Sequence, residues 1–267
     1  WDGTHSDEGQ VSIFYGSDVG LADEADLSLA PTAQNYAHYG EVLAGPGDSD
    51  SDGFNELLVG APDWDGTGIN EGKAWLYDGG IGGLNAAPVW FADPTDQTNA
   101  AYGQSLTGVG DITGDGYGDF AVGADGWDGS HMDEGRVFVY FGGSMGSSAV
   151  ASWDQEPIDQ QDARFGRAVS STDTNGDGYA DLVVGAHKYD DGAVDEGAVY
   201  AFLGSAVGLS TVPDWTKAPS AQTSAHFGAA LVSTDVNGDG YGDVIVGAPE
   251  YDGSGVDEGR AYLYLGG

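Results

Sequence analysis

The feature that most restricts what this chain can fold into is an internal repeat. The string Asp-x-(Asp/Thr/Asn)-x-Asp-Gly starts at Asp48, Asp111, Asp173 and Asp235, in steps of 63, 62 and 62 residues. A second string, ending Glu-Gly, closes at Gly9, Gly72, Gly135, Gly197 and Gly259, in steps of 63, 63, 62 and 62. Two separate markers keeping one period describe a row of like units, each burying its apolar surface against the next.

Each unit reads as four short strands. The first follows an aromatic-Gly pair: Tyr39-Gly40, Tyr102-Gly103, Phe165-Gly166 and Phe227-Gly228. The second is an unbroken apolar run, Leu57 to Ala61, Phe120 to Ala124, Leu182 to Ala186 and Val244 to Ala248. Such a run, bounded by turn residues, suits a strand buried on both faces. The third alternates, as in Val137, Val139 and Phe141 against Arg136, Phe138 and Tyr140, and predicts a half-buried strand. The fourth centres on Leu27, Trp90, Trp153 and Trp215. Helical periodicity is missing, and the 47 glycines among 267 residues fit many tight turns.

A four-stranded unit of this length describes a propeller blade. A solenoid coil is usually shorter, and a sandwich need not repeat its sequence. The expected fold is all-β, a propeller of four-stranded antiparallel blades in about four repeats of 62–63 residues. Residues 1–35 would supply the outer strands of a partial blade. Residues 36–98, 99–161 and 162–223 would be complete blades, and 224–267 a blade lacking its outermost strand. That arrangement has one strand too many for four closed blades. An incomplete ring is therefore expected, to be completed by self-association or by a longer parent chain.

Charge narrows the partners. Seven Lys and Arg face 44 Asp and Glu, a net charge of −37, which argues against nucleic acid or an anionic membrane surface. No apolar run is long enough to insert in a bilayer, and with no Cys there is no disulfide framework.

Many of the acids fall into a frame. Between first and second strands lie four nine-residue loops: Asp48, Asp50, Asp52, Phe54 and Glu56; Asp111, Thr113, Asp115, Tyr117 and Asp119; Asp173, Asn175, Asp177, Tyr179 and Asp181; Asp235, Asn237, Asp239, Tyr241 and Asp243. Side-chain oxygens stand at positions 1, 3, 5 and 9, and Gly at position 6 permits the turn that brings the position-7 carbonyl inward. Hard oxygen ligands on a flexible loop select Ca2+ over Mg2+, at about four sites. An Asp-Gly hairpin turn would explain one Asp and one Gly, not four oxygen positions in a fixed frame. Without a cation, the clustered carboxylates repel one another. Thr113 is the poorer ligand, and Glu56 is one methylene longer than its Asp counterparts.

These residues resemble the FG-GAP repeat of integrin α subunits: aromatic-Gly, the acidic loop, then Val-Gly-Ala-Pro. The last is intact as Val59-Gly60-Ala61-Pro62 and Val246-Gly247-Ala248-Pro249, whereas copies two and three carry Asp125 and His187 at its final position. The resemblance covers essentially the whole chain. It implies a propeller of seven blades in the integrins, calcium for structure, and an extracellular or cell-surface setting in adhesion. It implies partner proteins bound mainly on the face away from the calcium, and related repeats occur in sugar-binding lectins.

That opposite face should carry the second marker, since alternate connections of an antiparallel blade emerge at opposite ends. Candidate ligand residues there are Trp64, Asp65, Trp127, Asp128, Tyr189 and Tyr251. Aromatics beside carboxylates could stack on sugars or meet a basic protein. The plainer reading is that Asp and Gly shape the hairpin while the aromatic packs on a neighbouring blade. Catalysis finds no motif: His5, His38, His131, His187 and His226 share little frame, and a nucleophile elbow, phosphate loop and zinc pattern are missing. The function expected is a non-enzymatic, calcium-binding module for adhesion or protein recognition; the alternative is a calcium-stabilised lectin of the same architecture.

Overall fold

A computed structural model describes residues 1–267 apart from Thr4, Thr32, Met145 and Ser220. Among the described residues there are seventeen strands and no helix. Strands β1 (Val11–Ile13) and β2 (Leu27–Leu29) form a two-stranded sheet. Three four-stranded sheets follow. The first contains β3 (Val42–Ala44), β4 (Leu57–Ala61), β5 (Lys73–Tyr77) and β6 (Trp90–Ala92). The second contains β7 (Tyr102–Gly110), β8 (Asp119–Ala124), β9 (Arg136–Tyr140) and β10 (Trp153–Gln155). The third contains β11 (Phe165–Thr172), β12 (Asp181–Ala186), β13 (Ala198–Phe202) and β14 (Trp215–Lys217). A three-stranded sheet of β15 (Ala230–Thr234), β16 (Asp243–Ala248) and β17 (Arg260–Tyr264) ends the chain. Within each sheet every strand pairs antiparallel with the next in sequence, so each sheet is an up-and-down blade.

The inner strands β3, β7, β11 and β15 pack side by side in chain order, and no comparable packing joins β15 back to β3. The blades therefore form an open arc. Its core is a series of apolar layers, each between consecutive sheets. Phe165, Leu182 and Phe202 meet Val137, Val139 and Trp153 in one, and Tyr102, Phe120 and Tyr140 meet Leu58, Leu76 and Trp90 in another.

The Glu-Gly marker is explained by this stacking. Gly9, Gly72 and Gly135 each form a parallel bridge to the aromatic residue opening the next blade, Tyr39, Tyr102 and Phe165. At Gly72, with φ of +84°, an added Cβ would overlap the Tyr102 carbonyl oxygen. Only a residue without a side chain allows backbones that close.

The alternation of the third strand does not mean half-burial. Every residue of β13 is buried, as are all but the first residues of β5 and β9. A blade inside the row has a neighbour on both faces, so both sets of alternating side chains are covered. Among the third strands, β17, with no sheet on its outer face, is largely exposed, as is β15 of the same sheet.

Candidate metal centres

The four acidic loops share one construction, dictated by backbone geometry. Their position-6 glycines, Gly53, Gly116, Gly178 and Gly240, have φ of 93°, 91°, 91° and 93°. The position-1 carboxylate then caps the turn. Asp111 accepts the N–H of Gly114 at 2.7 Å on Oδ1 and that of Gly116 at 2.7 Å on Oδ2; Asp173 and Asp235 accept the corresponding glycine N–H groups. The position-5 residues Asp52, Asp115, Asp177 and Asp239 each accept the N–H of the position-7 aromatic.

Position 9 ties the loop into the blade. Asp119 Oδ2 accepts the Ile112 N–H at 2.9 Å, and Oδ1 accepts the Gly142 N–H just beyond β9 at 2.8 Å. Asp181 and Asp243 repeat this with Thr174 and Gly204, and with Val236 and Gly266. All three aspartates are completely buried. Burial pushes the Asp119 carboxyl up to about 6, with Asp111 and Asp115 adding to the rise against the two N–H donors. The Asp181 carboxyl is also raised, chiefly by burial. A cation beside Asp119 and Asp181 would offset the cost of ionising a carboxyl that burial disfavours.

The first loop differs. The longer Glu56 accepts the Ser49 N–H on Oε2, while its Oε1 is buried with no hydrogen-bond partner. Asp48, Asp50, Asp52 and Glu56 each offer one oxygen, and these all lie within 4.8 Å of one another. In the second loop the buried Thr113 Oγ1 likewise has no partner. The loops after β11 and β15 bring Asn175 beside Asp177 and Asn237 beside Asp239, each amide donating to the neighbouring carboxylate. The donor set is oxygen throughout, and orphaned buried oxygens stand at positions 9 and 3 of two loops. The residues fit a hard cation.

The loop aromatics on the opposite face are arranged differently from a stacking platform. The Lys73 ammonium lies 4.2 Å from the Trp64 ring centroid, and the guanidinium carbons of Arg136 and Arg260 lie 5.0 and 3.8 Å from those of Trp127 and Tyr251. Tyr189 meets Tyr200 edge-on. Each aromatic thus packs on the third strand of its own blade. Asp65 and Asp128 accept the N–H groups of Asn70 and Asp133 within their own hairpins. Glu71, almost fully buried, accepts the Gly68 N–H at 2.6 Å.

One repeated residue escaped the sequence reading. Gln34, Gln97, Gln160 and Gln222 each stand five positions before the aromatic-Gly pair. Each side-chain amide clasps the backbone of the hairpin aspartate, as when Gln97 donates to the Asp128 carbonyl at 3.0 Å and accepts its N–H at 2.8 Å. The same two-way clasp joins Gln34 to Asp65, Gln160 to Asp190 and Gln222 to Asp252. Its signal was the constant offset from the aromatic.

Residues 102–140, 165–202 and 227–264 match the family described as FG-GAP repeat. Phosphatidylinositol-glycan-specific phospholipase D of Bos taurus is 36% identical over 168 residues, 59% of this chain and 20% of that protein. Integrin alpha-PS2 of Drosophila melanogaster is 32% identical over 64% of this chain and 12% of its own length. Integrin alpha-V of Gallus gallus is 34% identical over 64% of this chain and 16% of its own. The matched segment thus spans about a fifth or less of these relatives. Among solved structures, rhamnogalacturonan lyase YesW aligns over 90% of this chain and 44% of its own, with a TM-score of 0.48 and 16% identity.

Proposed function

Because the chain carries FG-GAP repeats and shares them with integrin α subunits, we propose that it is an extracellular protein-recognition module whose acidic loops hold calcium for structure. The observation that carries the calcium reading is the buried, unpartnered Glu56 Oε1 in a loop where Asp48, Asp50, Asp52 and Glu56 each bring one oxygen within 4.8 Å of the others. The ligands in each loop would be the side chains at positions 1, 3, 5 and 9 and the carbonyl at position 7, giving about four sites. Bound calcium would neutralise carboxylates that otherwise repel across the connection between inner strands. Asp119, Asp181 and Asp243 already join that connection to the end of the third strand, so the charge balance there bears directly on blade closure.

The role proposed is recognition rather than catalysis. Two of the relatives are integrins by name, and phospholipase activity is named for whole proteins of which the match spans a fifth. A protein ligand is favoured over a glycan because Lys73, Arg136 and Arg260 cover loop rings that a sugar would stack on.

Calorimetric titration of chelator-treated protein with Ca2+, paired with thermal melts, tests the structural role. Saturable binding and a higher Tm with Ca2+ are expected, and an unchanged Tm after chelation would refute it. Asp239→Ala should lower the Tm of the calcium form by more than Thr113→Ala, since a carboxylate ligand is lost.

A further inference from the structure

The four acidic loops touch one another in chain order, and the contacts fall on or beside the residues that would hold the cation. At each junction the position-1 residue of one loop offers its backbone carbonyl to the N–H at position 8 of the next. Asp48 accepts from Gly118 at 2.8 Å, Asp111 from Ala180 at 3.3 Å, and Asp173 from Gly242 at 2.7 Å. Position 1 would give its carboxylate to its own loop. Position 8 lies between the carbonyl at position 7 and the carboxylate at position 9 of the other. One hydrogen bond therefore separates the two sets of ligands.

Two of the junctions carry a second link. Gly142 donates its N–H to the buried Asp119 at position 9, and the next residue, Gly143, donates to the Ser49 carbonyl of the preceding loop at 2.9 Å. The Ser49 N–H in turn donates to Glu56, position 9 of that loop. The same relay runs from Asp243 through Gly266 and Gly267 to the Thr174 carbonyl, at 3.0 Å, and on to Asp181. The first junction also has the Ser51 hydroxyl donating to the Gly116 carbonyl at 3.0 Å. Between the second and third loops the relay is missing among the described residues. Ser205 stands where Gly143 and Gly267 stand, and its N–H makes no bond to the Ile112 carbonyl. What remains there is the longer 3.3 Å bond and the packing of the Tyr179 ring on Gly114, a contact that Tyr241 and Gly176 repeat at the last junction.

We infer that the loops act as two coupled pairs, the first with the second and the third with the fourth, each raising its partner's affinity for calcium, while the middle junction transmits little. This rests on the calcium reading proposed above and adds the order in which the sites act. A loop without its cation holds carboxylates that repel one another, so the carbonyls at positions 1 and 2 are free to shift with it. Once one loop is ordered, its junction bonds fix the partner's positions 8 and 9, and the second binding event has less ordering left to do. Repulsion between neighbouring dications works against this and is screened by salt, so the pairing is to be measured at physiological ionic strength.

The test follows the backbone N–H signals of Gly53, Gly116, Gly178 and Gly240, one in each loop, by NMR as Ca2+ is added to the chelator-treated full chain. Asp115→Ala removes a ligand of the second loop. It should weaken the affinity read at Gly53 by at least about fivefold and leave Gly178 and Gly240 unchanged. Asp239→Ala should weaken the affinity read at Gly178 by a like factor and leave Gly53 and Gly116 unchanged. Gly143→Pro deletes the N–H that bonds Ser49 and should also weaken binding at Gly53. Gly143→Ala keeps that N–H, its Cβ meets nothing closer than 4.0 Å, and it should bind as the parent does. If Asp115→Ala does not fold, the two Gly143 variants decide. Saturable shifts in every loop of the parent, with Gly53 unmoved by Asp115→Ala and Gly143→Pro, would overturn the pairing and leave the calcium reading standing. Equal weakening of all four loops by Asp115→Ala would overturn it too. No saturable shift in the parent would overturn the calcium reading itself, and the pairing with it.

Discussion

The hydroxyl of Tyr102 donates to the hydroxyl of Tyr140 at 2.7 Å, with both side chains completely buried. Tyr39 and Tyr77 repeat the pair at 2.8 Å in the preceding blade. In the next blade the same two positions hold Phe165 and Phe202, again buried and in edge contact. In these three blades the pair is either two hydroxyls or none, because one hydroxyl left alone in a fully buried layer would have nothing to bond. The last blade sets a lone hydroxyl, on Tyr264, against Phe227, and there the tyrosine is only partly buried.

That relationship predicts a non-additive cycle. Tyr140→Phe should destabilise by about 1–3 kcal/mol, the cost of leaving the Tyr102 hydroxyl buried and unpaired. The double variant Tyr102→Phe/Tyr140→Phe should recover most of the loss, as Phe165 and Phe202 show the layer accepts two rings without hydroxyls. Denaturant unfolding of the four proteins measures the coupling. Additive losses would show that the two hydroxyls act independently.

The open arc makes its own prediction through two glycines of the same motif. A Cβ at Gly123 would overlap the Gly166 carbonyl of the next blade, whereas a Cβ at Gly247 would come no closer than 3.3 Å, to Ala230 of its own blade. Gly123→Ala should therefore lower the Tm sharply, and Gly247→Ala by much less, because no blade is docked beside it. Equal losses from the two substitutions would mean that something in solution covers the β15–β17 sheet.

His187 predicts a pH effect of known sign. Its folded-state pKa is lowered to about 3 from an ordinary 6.5, so the unfolded chain binds the extra proton between those values. The contribution is fully present above pH 6.5 and is lost as pH falls from 6.5 towards 3. Replacing the ring with the non-titrating His187→Gln should flatten this part of the decline in Tm relative to the parent. Parallel Tm-against-pH curves for the two proteins would show the effect absent.

Much of this protein was determined by sequence alone, because its repeat encodes local rules. Asp111 and Gly116 specify a turn within a few residues, and the apolar run from Phe120 to Ala124 specifies a buried strand, whatever lies beyond. The Gln97 clasp was legible as a constant offset from Tyr102, but its partner, the Asp128 backbone, is set by how one loop lies over another. Tertiary structure alone decided the rest. Alternation in β9 could not reveal burial on both faces, since that depends on blades standing to either side. Nor could spacing show that Asp125, Arg167, Lys188 and His226 converge, since they belong to three different blades. Stacking of sheets brings their strand ends together, and electrostatics at a few ångströms depends on that distance rather than on separation along the chain.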